Sequence, residues 1–177
     1  MRSDICPLLT ADAGIALEPL LALHADALFD LLADARLGQF TDDEPPVDRA
    51  ALFDRYRRLE TRRSPDESAL WLNWAVRVPE GGIVGYVQAT VAADRSTSEI
   101  AYVIGRPFWR RGFATAAVRR MIAFLRDGLG VRDIRATVDE RNTASLRLLR
   151  TLGLRIADDR DRRNLRFAFT APSRLPP

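Results

Sequence analysis

The residues of this chain whose types and order best suit chemistry are Arg110, Arg111, Gly112, Phe113, Ala114 and Thr115. They follow a strand-like run, Glu99-Ile100-Ala101-Tyr102-Val103-Ile104, and a turn, Gly105-Arg106-Pro107-Phe108-Trp109. They open a helical pattern. A strand that passes through a glycine turn into a helix gathers backbone N–H groups at a helix N-terminus. The first of these have no intrahelical acceptor, and the helix dipole favours negative charge, so such a terminus binds anions. Gly112 lets the backbone approach a ligand closely, Ala114 keeps the next contact small, and two arginines add positive charge. The chemistry that suits this pattern is the cradling of a diphosphate. The same residues also fit a plain strand–turn–helix connection with exposed arginines, because glycine is common at such turns.

Other elements must position this loop. The helix it opens is expected from 115 to about 127, because Val118, Met121, Ile122 and Leu125 recur on one face while Arg119, Arg120 and Arg126 take others. Gly128 and Gly130 stop it. Upstream, residues 70–78 and 83–92 alternate around Pro79-Glu80-Gly81-Gly82 and read as a hairpin. One face of its first strand holds Leu72, Trp74, Val76 and Val78, and the other holds Trp71, Asn73, Ala75 and Arg77. In the second strand Val84, Tyr86, Gln88 and Thr90 are expected opposite Ile83, Gly85, Val87, Ala89 and Val91. Both Trp71 and Trp74 read as core or cleft wall. Residues 134–138 form a further strand. Asn142 is an N-cap for a helix to Leu152, closed by Gly153, and Leu165, Phe167 and Phe169 mark a last strand after a charged turn at 158–164. Towards the N-terminus, 1–14 reads as loose, 15–19 as a short strand, and 23–33 as a helix with a stripe of Leu28, Leu31 and Leu32. A loop at 38–46 carries Asp42, Asp43 and Glu44. Asp48 caps a second helix to about Thr61, with Leu52, Tyr56 and Leu59 inward. The last six residues read as a tail.

Composition narrows the function classes. A length of 177 residues fits one domain, 1–177, with loose ends at 1–14 and 172–177. No apolar run approaches a membrane span, and the N-terminus has no signal-peptide pattern, so the expected location is the cytoplasm and no membrane partner is expected. The one cysteine, Cys6, excludes an internal disulfide and a cysteine-cluster metal site, and no metal is expected. All 27 basic residues are arginine, balanced by 24 acidic ones to a net +3. The arginines are interleaved with Asp and Glu and form no block with stacking aromatics, which argues against nucleic acid as a partner. His24, the single histidine, has no metal-ligand or nucleophile partner near it in sequence and reads as structural or surface.

Trp109-Arg110-Arg111-Gly112-Phe113-Ala114 resembles the Gln/Arg-x-x-Gly-x-Gly/Ala signature of the GNAT superfamily, the acyl-CoA-dependent N-acetyltransferases. The run from Glu99 to Ile104 is similar to that superfamily's fourth strand. Asn142-Thr143-Ala144-Ser145 with Leu152-Gly153-Leu154 resembles its Asn-x-x-Ser…Leu-Gly-Phe segment. Within the superfamily the chain resembles the branch containing the ribosomal-protein N-terminal acetyltransferases, over roughly residues 15–171. Trp109 stands where Gln or Arg is usual, and Leu154 where Phe is usual.

The resemblance implies an α/β (α+β) fold with a mixed, mostly antiparallel sheet and flanking helices. It implies acetyl-CoA as cosubstrate and an amine acceptor, either a small molecule or a protein N-terminus. A homodimer is a family-level expectation. The backbone from Arg110 through Thr115 would hold the diphosphate, Val103 and Ile104 would pair with the pantetheine arm, and the arm would enter where two strands splay. The helices and the loop at 38–46 would face the acceptor. Glu99 is the candidate base, directly or through water; it also fits a strand-edge Glu paired with an arginine. Many members place an acidic tyrosine seven residues after the asparagine. That position is Leu149 here, leaving Ser145, or a water held by Asn142, as the acid; Ser145 equally fits a helix-start hydroxyl. Without a working acid the chain would instead be an inactive acyl-CoA-binding regulatory module.

Overall fold

A computed structural model describes residues 5–10, 14–40, 45–158 and 164–170. Eight strands form one sheet: β1 (Leu9–Thr10), β2 (Ala16–Pro19), β3 (Ala69–Val78), β4 (Gly82–Ala92), β5 (Thr97–Ile104), β6 (Asp133–Asp139), β7 (Arg155–Asp158) and β8 (Asn164–Thr170). Four α-helices accompany them: α1 (Ala25–Leu32), α2 (Arg49–Leu59), α3 (Phe113–Ala123) and α4 (Thr143–Thr151). The spatial order is β1-β2-β3-β4-β5-β6-β8-β7. Every neighbouring pair is antiparallel except β5 with β6. That parallel pair needs a crossover, and α3 supplies it.

The sheet is covered on both faces. On one side Trp74, Val76, Val87 and Phe167 pack with Met121 and Leu125 of the α3 segment and Leu149 of α4. On the other, Ala75 and Ile83 meet Leu28 of α1 and Leu52 and Tyr56 of α2. Burial of this apolar surface is the main stabilising term, at roughly 25 cal/mol per Å². Trp74 is completely buried, and its indole N–H donates to Pro7 O at 2.8 Å, so its one polar atom is satisfied. The other tryptophan of the strand, Trp71, lines a cavity. Among the described N-terminal residues, Leu9 and Thr10 pair with β2, and Cys6 is buried. The α2 cap is as expected, with Asp48 Oδ1 accepting from Ala51 N–H at 2.7 Å. His24 is structural: its Nδ1 accepts from Leu21 N–H at 3.1 Å, and burial holds its pKa down.

Three local expectations are corrected. The central helix starts at Phe113 rather than Thr115, because Gly112 in the left-handed region is its N-cap. Its last turn widens into a π turn, Phe124–Gly128. Residues 155–158 form strand β7, whose exposed and polar pattern carries no alternation signal. In β4 the predicted faces fail at Val84. Val76 pairs with Gly85 and Arg77 with Ile83, so Val84 is the extra residue of a bulge. The bulge shifts the parity, and Val84 joins Val87, Ala89 and Val91 in the main core. The acidic residues Asp42, Asp43 and Glu44, most of the 158–164 turn and the 172–177 tail lie outside the described residues.

Beside the bulge, Gly85 lies hard against β5. A Cβ added there would sit 2.1 Å from Val103 O and 2.8 Å from Ile104 Cα, both backbone atoms. Gly85→Ala should therefore force β4 and β5 apart and destabilise by about 1–3 kcal/mol or more, the scale of overpacking. A denaturant midpoint equal to that of the unaltered protein would disprove this close approach.

Candidate active site

The N-terminus of α3 stands beyond the end of β5. Its N-cap, Gly112, has φ 81°, and no side chain caps it. The first N–H of the helix to reach a preceding carbonyl is that of Ala116, bonded to Gly112 O at 3.0 Å. Arg110 has φ 60°. A non-glycine residue in that region costs roughly 1–2 kcal/mol, so the loop holds strain that its surroundings must offset. Left-handed residues on both sides of Arg111 bend successive N–H groups into a concavity that suits an anion. A Cβ on Gly112 would meet nothing within 4 Å, so the space over these groups is open. Neither Arg110 nor Arg111 enters an ion pair among the described residues. The Arg111 guanidinium lies 4.8 Å over the Phe113 ring. Ala114 and Thr115 follow in the first turn of α3. These features fit a diphosphate.

Next to this loop the sheet opens. β5 and β6 pair only at Thr97↔Asp133, Ser98↔Ile134 and Glu99↔Arg135. Past Glu99, β5 keeps to β4, while β6 keeps to β8 as far as Asp139↔Asn164. A wedge-shaped gap separates the diverging strands, with the α3 loop beyond the end of β5 and the start of α4 after β6. The two strand residues expected to pair with a ligand arm behave differently. Val103 O faces Gly85 on β4, and the Val103 side chain lines a pocket under α1 and α2. Ile104 O accepts from the Trp109 indole N–H at 2.6 Å. Trp109 thus ties the loop back to the end of β5.

Glu99 sits at the mouth of the gap, on the sheet face that α2 covers. Its Oε1 accepts from Thr137 Oγ1 at 3.1 Å, so the side chain reaches towards β6. Opposite it on β4 is Thr90. Thr90 belongs to a cavity of ≈ 850 Å³ whose wall includes Arg55, Arg58, Arg63, Trp71 and Gln88. Glu99 therefore stands at the rim of the cavity. The hydrogen-bond partner of Glu99 is a threonine, while Arg135, opposite it on β6, supplies the arginine charge expected beside it. The cavity residues Asn73 and Gln88 were not singled out from the sequence as site residues. The available signal was polar side chains recurring at period two inside otherwise apolar strands.

At the start of α4, Asn142 Oδ1 accepts from Ser145 N–H at 3.1 Å, a cap that leaves the Asn142 amide group and the Ser145 hydroxyl for other work. Leu149 is fully buried in the main core, with Leu154 beside it in the same cluster. The described residues hold no group of three or more His, Cys, Asp or Glu that could bind a metal, and no described helix is long and apolar enough to cross a membrane.

The sheet thus splits beside a helix N-terminus, with a carboxylate at the mouth of the split. Residues 15–155 match the family model described as an acetyltransferase (GNAT) domain, and the chain belongs to the GNAT acetyltransferase family. It is 37% identical over 59 residues to an uncharacterized N-acetyltransferase p20 of Bacillus licheniformis. That match spans 33% of each chain. Among solved structures, RimL, a ribosomal L7/L12 α-N-protein acetyltransferase in complex with coenzyme A, superposes with a TM-score of 0.78 at 13% identity, covering 93% of this chain and 98% of that one. RimJ of Mycobacterium smegmatis, in complex with CoA-disulfide, gives 0.76 at 22% identity over 97% and 88%. At these identities the likeness establishes the fold.

The Asn142 cap separates two effects of substitution. Asn142→Ala should cost about 0.5–2 kcal/mol of stability. Asn142→Asp keeps the acceptor and puts a negative charge at a helix start, so its melting temperature should hold. Equal stability losses in the two variants would remove the cap from the site.

Proposed function

We propose that this protein is an acetyl-CoA-dependent N-acetyltransferase that moves the acetyl group to a primary amine by direct attack on the thioester. The acceptor is a protein N-terminus or a small-molecule amine. The observation that carries the reading is the gap between β5 and β6, with an anion-binding helix start at one end and a carboxylate at the other. Bound acetyl-CoA supplies an acyl group activated as a thioester.

The chain's residues have three tasks. The N–H groups and arginines of Arg110 through Thr115 hold the diphosphate, and a helix start is pre-oriented for this. Ile104, Asn142 and Ser145 line the path of the arm, with Asn142 offering its amide group. Glu99 takes the amine proton. An ammonium has no lone pair; an α-amino group with pKa near ~8 needs a smaller push than a lysine near ~10.4. Thr137 holds the Glu99 carboxylate at the mouth, where the cavity under α2 admits the amine. A protein N-terminus as acceptor accords with the activity named for the RimL neighbour.

One observation favours a second reading. Leu149, where many relatives carry the acid, is sealed in the core, which suits an acyl-CoA-binding module without turnover. Release of free thiol from acetyl-CoA across an amine panel separates the two: binding without release against every amine would establish the module.

Gly112→Asp should abolish acetyl-CoA binding in calorimetry while the protein stays folded. Asp tolerates a left-handed φ better than most residues, and nothing crowds the position. Its carboxylate would meet the diphosphate. Unchanged affinity would refute the cradle. Glu99→Gln keeps the shape and removes the base, so turnover at neutral pH should fall about 10²–10⁴-fold. Acetyl-CoA affinity should hold, and part of the rate should return at high pH, where solvent supplies neutral amine. A near-normal rate at neutral pH would clear Glu99 of this role.

A further inference from the structure

The gap contains a titratable group that none of these tasks uses. Tyr102 lies on β5 three residues beyond Glu99, so its side chain leaves the opposite face of the strand and packs against the main core. Its hydroxyl is buried and has no hydrogen-bond partner among the described residues. Burial pushes the phenol pKa up, and the Ser145 side chain at the start of α4 pulls it partly back without completing a hydrogen bond. The phenol thus extends from β5 to the first turn of α4, past the point where β5 and β6 have parted. A buried hydroxyl left unpaired is costly, and an acceptor arriving in the gap would relieve that cost.

We infer that Tyr102 is the proton donor to the departing thiolate, taking the place that Leu149 leaves empty. The inference rests on the acetyltransferase reading. The amine nitrogen forms a bond to the acetyl carbon and its proton passes to Glu99. The carbon–sulfur bond breaks, sulfur keeps the electron pair, and the Tyr102 hydroxyl gives it a proton, releasing free CoA thiol and the amide. The tyrosinate regains its proton from solvent through Ser145. Glu99 and Tyr102 stand on opposite faces of one strand, so base and acid approach the reacting carbon from opposite sides. A phenol is ionised only near pH ~10 and here higher, so at neutral pH the donor is fully loaded. A thiolate expelled into an apolar gap holds a proton more tightly than it does in water, which favours the transfer. A serine hydroxyl is a far weaker acid, and Ser145 serves better as the relay.

The test compares Tyr102→Phe and Ser145→Ala with the unaltered protein in turnover, CoA calorimetry and ultraviolet difference spectra. Tyr102→Phe removes one oxygen that holds no partner, so melting temperature and CoA affinity should stay. The turnover number should fall about 10²-fold, and KM for acetyl-CoA should hardly move. Ser145→Ala should lose less. The chain has only three tyrosines, so CoA binding should give a tyrosine difference band that is missing in Tyr102→Phe. Normal turnover in Tyr102→Phe, or a CoA-induced band that persists in it unchanged, overturns the assignment and passes the role to Ser145 or water. An unaltered protein that binds CoA yet acetylates no amine overturns the transferase reading, and the proton donor with it.

Discussion

The site depends on one broken pairing. β5 and β6 are joined at three register positions and then part. A strand that loses its neighbour exposes N–H and C=O groups that must find other partners or water. At the end of β5 this is solved locally, because the Trp109 indole N–H takes Ile104 O. The next amide, Gly105 N–H, turns the other way and donates to Val84 O at 2.8 Å, on the bulge of β4. Bulge, gap and tryptophan are therefore one arrangement. The bulge lets β4 follow β5 away from β6, Gly85 permits the close contact this requires, and Trp109 closes the exposed edge.

That arrangement also explains the departure at position 109. A tryptophan stands where the family motif has Gln or Arg. Its indole N–H retains the capacity of those side chains to donate one hydrogen bond, and spends it on the strand end. Beside it, neither Arg110 nor Arg111 is tied up in an ion pair among the described residues.

Much of the fold was legible in the sequence. The period-three-to-four stripe of α3, the alternation of β3 and the capping residues Asp48 and Asn142 each depend on local chemistry, and each recurs in the structure. The turn into α3 was legible because its requirements are local too: a glycine that must adopt φ 81° and small residues after it. The parity of β4 was not legible. A bulge is set by how two strands meet, and the single residue Val84 carries no mark of it. Strand β7 was missed because its side chains do not alternate between burial and exposure. Tyr102 was passed over for the same kind of reason. In sequence it is an ordinary strand aromatic, and only the packed structure shows that its hydroxyl is buried without a partner.

The two faces of β5 have different surroundings. Glu99, Ala101 and Val103 share the face towards α2, where the cavity wall is polar and arginine-rich. Ser98, Ile100, Tyr102 and Ile104 share the face towards α3 and α4, where the surroundings are apolar. An amine arriving on the first side meets a solvated carboxylate, which can shed a captured proton to water. A thiolate leaving on the second side enters a region of low polarity, where an unprotonated anion is costly. For the proposed acetyl transfer, these environments favour proton removal on the wet face and proton delivery on the dry one. A tyrosine suits the dry face because its ring packs against the core and carries one polar atom, the buried hydroxyl, beside the start of α4. Leucine at 149 is then compatible with catalysis, since the helix position can serve packing once the strand supplies the acid.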